Sequence, residues 1–313
     1  MSQKVEALGH IKVDGWDIPI KATHDVFTRY TYSLPENAVV LRDLLNIFYE
    51  RYKEILVGME LEDPTVKIHT GQVEVESQYS HMLGESVREA KYQDIRMRLI
   101  NDEDGRVIEI HFTEFQNDAH PDPPIEDQSL HYFGLGIGHQ REEGVEAVSQ
   151  RWVLAENRLS LTGGHEIINY TLRAMPPRSF PNKSGIMFIC LPLVAQKDNG
   201  KAGQLAKFLL GIIDMPEHPE VKRIAEAIRN SFAKFKKDKE AINVLTWRER
   251  WEKNGKAVGE ATANMATLVL SIEENDPEYI IERNAKRAGI GVDELQKMIM
   301  NIRGRNEPQP TPV

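Results

Sequence analysis

The sequence predicts an α/β fold in which helices flank a central mixed sheet and a helical region is appended at the C-terminal side. Three observations carry this. Apolar and polar residues alternate with the period of a strand within Val66 to Glu76, Ile95 to Leu99 and Ile108 to Phe112, whereas between Glu36 and Ile55 they recur at helical spacing. From Gln204 onward strand signals vanish. With 313 residues the chain can bury a sizeable core, and it reads as one domain plus a further region.

In chain order, residues 1–22 carry Gly9, Gly15 and Pro19 and read as an extended lead-in to a core domain over 23–203. Pro35 precedes a helix whose apolar stripe is Val39, Val40, Leu44, Leu45, Ile47, Phe48, Tyr52 and Ile55. A strand is expected within Val66 to Glu76, then a β-hairpin from Asp94 to Gln116 turning at Asp104-Gly105, because Asp-Gly between alternating runs favours a tight turn. A helix follows around Asp127 to Arg141, then short apolar strands at Arg151 to Leu154, Ile167 to Leu172 and Ile186 to Val194. Residues 204–303 read as a helical region and 304–313 as a polar tail.

The hairpin contains an anomaly. A two-residue loop at Asp104-Gly105 sets Leu99 opposite Ile110, Met97 opposite Phe112 and Ile95 opposite Glu114. On that face Ile108, Ile110 and Phe112 run into Glu114 and Gln116, where the pattern calls for another core residue. A buried carboxylate without a partner costs several kcal/mol, so a cation, a basic side chain or an opening to water is required there. Alternation points Asp94 to the other face, and a bulge is needed to bring it beside Glu114.

Composition excludes several classes. The lone Cys190 permits no intramolecular disulfide, and the first ten residues lack the apolar core of a secretion signal. No apolar run approaches the roughly 20 residues that span a bilayer, so a cytoplasmic protein is expected, with no membrane partner. A net charge of -9 argues against indiscriminate phosphate binding, which leaves only local contact with nucleic acid. The basic runs at Lys222-Arg223 and Lys234, Lys236, Lys237 and Lys239 read as solvated helix faces. Phosphate-loop, nucleophile-elbow and zincin motifs are missing from the sequence, and Gly134-Leu135-Gly136-Ile137-Gly138 follows a helical stretch, not a strand. His111, next to Glu109-Ile110, reads as an exposed polar strand residue, with a role as general base the rarer alternative.

The segment Asp94, nineteen residues, Glu114-Phe115-Gln116 resembles the D…E-x-Q signature of the Rpn-type recombination-promoting nuclease and transposase family, within the PD-(D/E)XK nuclease superfamily. His24-Asp25-Val26-Phe27 is similar to that family's opening H-D-x-x-F, and Pro35-Glu36-Asn37-Ala38 with Leu44-Leu45-Asn46 resembles its first helix. Glu249 to Ala261 and Ile280 to Ile299 are similar to the helical C-terminal repeats attached to such nucleases. The resemblance implies a restriction-endonuclease-like core and DNA as substrate. It implies that Asp94 and Glu114 hold Mg²⁺, with Mn²⁺ as a substitute, that Gln116 orients the attacking water, and that Glu36 is a third candidate carboxylate. A setting in mobile elements, recombination or defence follows, with a homodimer natural for cutting both strands. The alternative is a catalytically degenerate relative that binds nucleic acid or protein. The helical pair from Pro277 to Arg303 reads as packing, because Asp293 and Glu294 at the start of its second helix would face phosphates.

Overall fold

In the computed structural model the described residues are 8–13, 16–77, 95–117, 124–143, 145, 147–171, 184–246, 264–265, 267–269, 271–272, 277–288 and 290–305. The chain divides into two compact units, Met1–Val244 and Leu245–Val313. The boundary read at 203/204 thus moves by about forty residues, because helices α6 (Lys201–Leu209) and α7 (Pro219–Phe235) bury their apolar faces in the first unit.

The first unit opens with a hairpin where the sequence suggested only an extended lead-in. Strand β1 (Gly9–Val13) pairs antiparallel with β2 (Trp16–Ile20), and Ile11, Ile18 and Ile20 are buried. Helix α1 (Asp25–Ser33) follows, then a 3-10 turn Pro35–Asn37 and α2 (Ala38–Gly58), whose buried stripe of Leu41, Leu44, Leu45, Phe48 and Tyr52 has the expected helical spacing. Phe27 and Tyr30 of α1 meet Phe232 and Phe235 of α7 edge to face, at centroid separations of 5.0 to 5.7 Å.

A six-stranded mixed sheet forms the centre, in the order β3 (Val73–Ser77), β4 (Ile95–Ile100), β5 (Val107–Gln116), β6 (Ala147–Leu154), β8 (Gly185–Cys190), β7 (Ile167–Thr171). The first three strands are an antiparallel meander. Helix α3 (Ile125–Glu143) then carries the chain over to β6, which runs parallel to β5, a short α4 (Leu159–Thr162) leads on to β7, and β6 is parallel to β8. The segment read as one strand from Ile186 to Val194 divides: it is strand only to Cys190, and α5 (Leu191–Lys197) begins with Pro192 in its first turn, where no backbone donor is missed. The strand expected in Val66 to Glu76 is confined to β3, with Val66 buried in the preceding loop.

The hairpin forms as the sequence predicts, in a different register. The loop is longer than two residues: Asn101 pairs with Arg106, its side chain accepts from the Glu103 amide, and Gly105 adopts a left-handed φ of 70°. A bulge follows, since Leu99 opposes Glu109 while Ile100 opposes Val107, which leaves Ile108 as the extra residue. Ile95 therefore faces Thr113, not Glu114, and Met97 faces His111, not Phe112. A slip of one residue exchanges the faces of a strand. Ile95, Met97 and Leu99 thus share their face with Glu109, His111 and Thr113, while Ile110, Phe112, Glu114 and Gln116 share the opposite face with Arg96 and Arg98.

Both faces are covered. On the first, α1 and α2 pack, with Tyr32 stacked on Phe115 and Tyr49 against His111. On the second, Ile125 and Phe133 of α3 join Trp152, Leu154, Ile186 and Phe188, with Tyr132 stacked on Trp152. The second unit has its own core, in which Leu268 and Ile272 meet Ile281 and Ala285 of α8 (Glu278–Ala288) and Leu295 of α9 (Val292–Arg305). No described helix is long and apolar enough to cross a membrane.

Candidate functional site

Glu114 and Gln116 lie two residues apart on one face of β5, at its carboxyl end, as their spacing requires. Each is partly exposed, unlike Ile110 and Phe112 on the same face. In the parallel ladder Glu114 sits opposite Trp152 and Gln116 opposite Leu154. The guanidinium-bearing Arg96 and Arg98 occupy the same face of the neighbouring strand. Asp94 lies outside the described residues, and so does any bulge there. Glu36 sits in the 3-10 turn ahead of α2, half-exposed, with its carboxylate paired to Lys234. That pairing holds the Glu36 carboxyl below its ordinary value, through the hydrogen bond from Lys234 first.

The other face of β5 holds a polar cluster that the sequence reading missed. His111, expected at the surface, has 0% exposure, and Arg151 is 2% exposed. His111 Nε2 lies 2.7 Å from Glu109 Oε1, its Nδ1 lies 3.1 Å from the Tyr49 hydroxyl, and Arg151 Nε donates to that hydroxyl at 2.7 Å. A second Arg151 nitrogen donates to the Gln150 carbonyl at 2.8 Å, and the guanidinium carbon stands 5.2 Å over the Tyr49 ring. Ser149 Oγ donates to Glu109 Oε1 at 3.3 Å. The loop between α2 and β3 adds His69, whose ring centroid is 5.0 Å from that of His111. Its backbone is clamped by Asn46 on α2, which donates to the His69 carbonyl and accepts from its amide.

The protons in this chain follow from bonding logic. Burial alone would raise the Glu109 carboxyl, but His111 and Arg151 outweigh it and hold the pKa at about 2, so Glu109 only accepts. His111 is pushed down, by burial first. Neutral His111 then carries its proton on Nε2, for Glu109, and its Nδ1 accepts from the Tyr49 hydroxyl, itself pushed up to about 12 by burial. Burial and the neighbouring His111 take His69 down to about 3, so its imidazole is neutral as well.

Two signals could have exposed this cluster. Arg151 directly precedes the apolar run Trp152-Val153-Leu154, and Glu109, His111 and Thr113 alternate in step with Ser149 and Arg151 on the strand beside them. Alternating polar residues were read as a wet face, whereas a central strand covered on both sides has none.

Comparison with family models, with curated proteins and with solved structures finds no match to this chain.

Proposed function

We propose that the chain is a metal-dependent DNA endonuclease that hydrolyses phosphodiester bonds at the carboxyl end of β5, with Glu114, Gln116 and Asp94 as its working residues. The observation that carries this reading is the placement of Glu114 and Gln116 together at the end of a central strand that is parallel to β6. In open α/β sheets ligands gather outside the carboxyl ends of such strands. The carboxylate and the amide oxygen offer only oxygen donors, which is the set that Mg²⁺ or Mn²⁺ prefers, so the residues present fit a hard cation.

Bound there, such an ion would lower the pKa of a coordinated water and offset charge developing on the phosphate. Glu114 supplies the anionic ligand from a rigid strand, and Asp94, next to β4, is the proposed second carboxylate. Gln116 accepts from and donates to the attacking water, which orients it without adding charge. Arg96 and Arg98 place two positive groups on the same face, a local site for a phosphodiester in a protein of net charge -9. Two copies of the chain would serve to cut both strands of a duplex.

Calorimetric titration with Mn²⁺ tests the reading. Binding that is present in the parent and lost in Glu114→Ala supports it. A parent that binds no Mn²⁺ favours the degenerate, non-cleaving scaffold instead.

A further inference from the structure

We propose that His69, Glu109 and His111 form a second metal site, one that takes Zn²⁺ or Co²⁺ in preference to Mn²⁺ or Mg²⁺. One donor atom from each residue lies within 4.8 Å of the other two, a spacing that a single ion can bridge. Two imidazole nitrogens and one carboxylate form a donor set suited to Zn²⁺, Fe²⁺ or Co²⁺ with a position left open, and unsuited to Mg²⁺.

The three residues are held from different directions. Glu109 and His111 share one face of β5, and His69 is fixed by its reciprocal backbone bonds to Asn46. A purely structural network accounts for Tyr49, Arg151, Glu109 and His111, which satisfy one another. It does not account for His69, whose partly buried ring makes no hydrogen bond to any described residue yet stands edge-on to His111.

An ion takes the place of the proton now shared between His111 Nε2 and Glu109 Oε1. That proton moves to His111 Nδ1, which then donates to the Tyr49 oxygen that already accepts from Arg151, while the hydroxyl proton turns away from His111, and no proton is released. Tyr49, oriented by Arg151, becomes the outer partner that a ligating histidine requires on its second nitrogen. This site lies on the opposite face of β5 from Glu114 and Gln116, and the inference does not rest on the nuclease reading.

The test uses the full chain, stripped with chelator and titrated with Co²⁺, with bound metal measured by elemental analysis and by visible d–d absorption. The parent and Glu114→Ala are expected to take up a first equivalent of Co²⁺ per chain with the same spectrum. His69→Ala and Glu109→Gln are expected to lose it, and Tyr49→Phe to bind about 10- to 100-fold more weakly. Circular dichroism confirms that each variant is folded, and His69→Ala, a loop substitution, decides if the strand variants unfold. No Co²⁺ binding in the parent overturns the proposal. So does binding that survives in His69→Ala or disappears in Glu114→Ala.

Discussion

Replacing Arg151 with methionine isolates what the buried guanidinium does, because the apolar stem is kept and little cavity forms. The structure assigns to that group two donated hydrogen bonds, to the Tyr49 hydroxyl at 2.7 Å and to the Gln150 carbonyl at 2.8 Å, and a position 5.2 Å over the Tyr49 ring. Hydrogen bonds from a charged donor contribute about 1.5–3 kcal/mol each. Its removal also takes from buried Glu109 the positive charge of Arg151, which helps to keep it ionised. Breaking a buried charged network by deleting one partner costs about 3–5 kcal/mol, and the same range is expected here. Urea unfolding at neutral pH with chelator present reads this as a lowered midpoint at constant slope. In a Tyr49→Phe background the same substitution should cost at least about 1 kcal/mol less, since the two side chains share one bond. A loss below about 1 kcal/mol for Arg151→Met, or strict additivity with Tyr49→Phe, would refute the network as described.

Other substitutions carry their own expectations. Glu36→Ala should leave Mn²⁺ affinity unchanged by calorimetry and alter stability by less than about 1 kcal/mol, because its pair with Lys234 is solvent-exposed. With chelator present, stability should fall on acidification. His69 stays neutral in the fold down to about 3, so its contribution is full above its ordinary value of 6.5 and is lost progressively below it. Between about pH 7 and 5 that amounts to roughly 2 kcal/mol, and His69→Gln should flatten the urea-derived profile by this amount. Gly203→Ala should destabilise the first unit by about 1–3 kcal/mol in thermal unfolding, since an added Cβ would collide with the Asp198 carbonyl.

The legible part of the fold was what period and turn chemistry specify locally. The stripe of Leu44, Leu45, Ile47, Phe48 and Tyr52 and the alternation of Ile95, Met97 and Leu99 each identify an element without reference to the rest of the chain, although Val39, read into the same stripe, is exposed and Leu41 is buried in its place. Register was not legible. It was displaced by the Asn101 side chain, which lengthens the loop, and by the extra residue Ile108, neither of which shows in a count outward from Asp104-Gly105. The first unit's reach to Val244 was hidden for a similar reason: Phe232 and Phe235 have ordinary helical spacing, and only packing against Phe27 and Tyr30 shows where they belong. In the candidate site, Glu114 and Gln116 were visible because they break an apolar face. Glu109 and His111 read as surface residues, and Arg151 drew no notice, because their burial comes from a helix and a strand distant in sequence.

Supercoiled-plasmid nicking with added Mg²⁺ tests the central claim most directly, comparing the parent chain with Glu114→Ala and Asp94→Ala. The account expects nicking by the parent that requires the ion and is lost in both variants. Equal cleavage by the parent and either variant would contradict it.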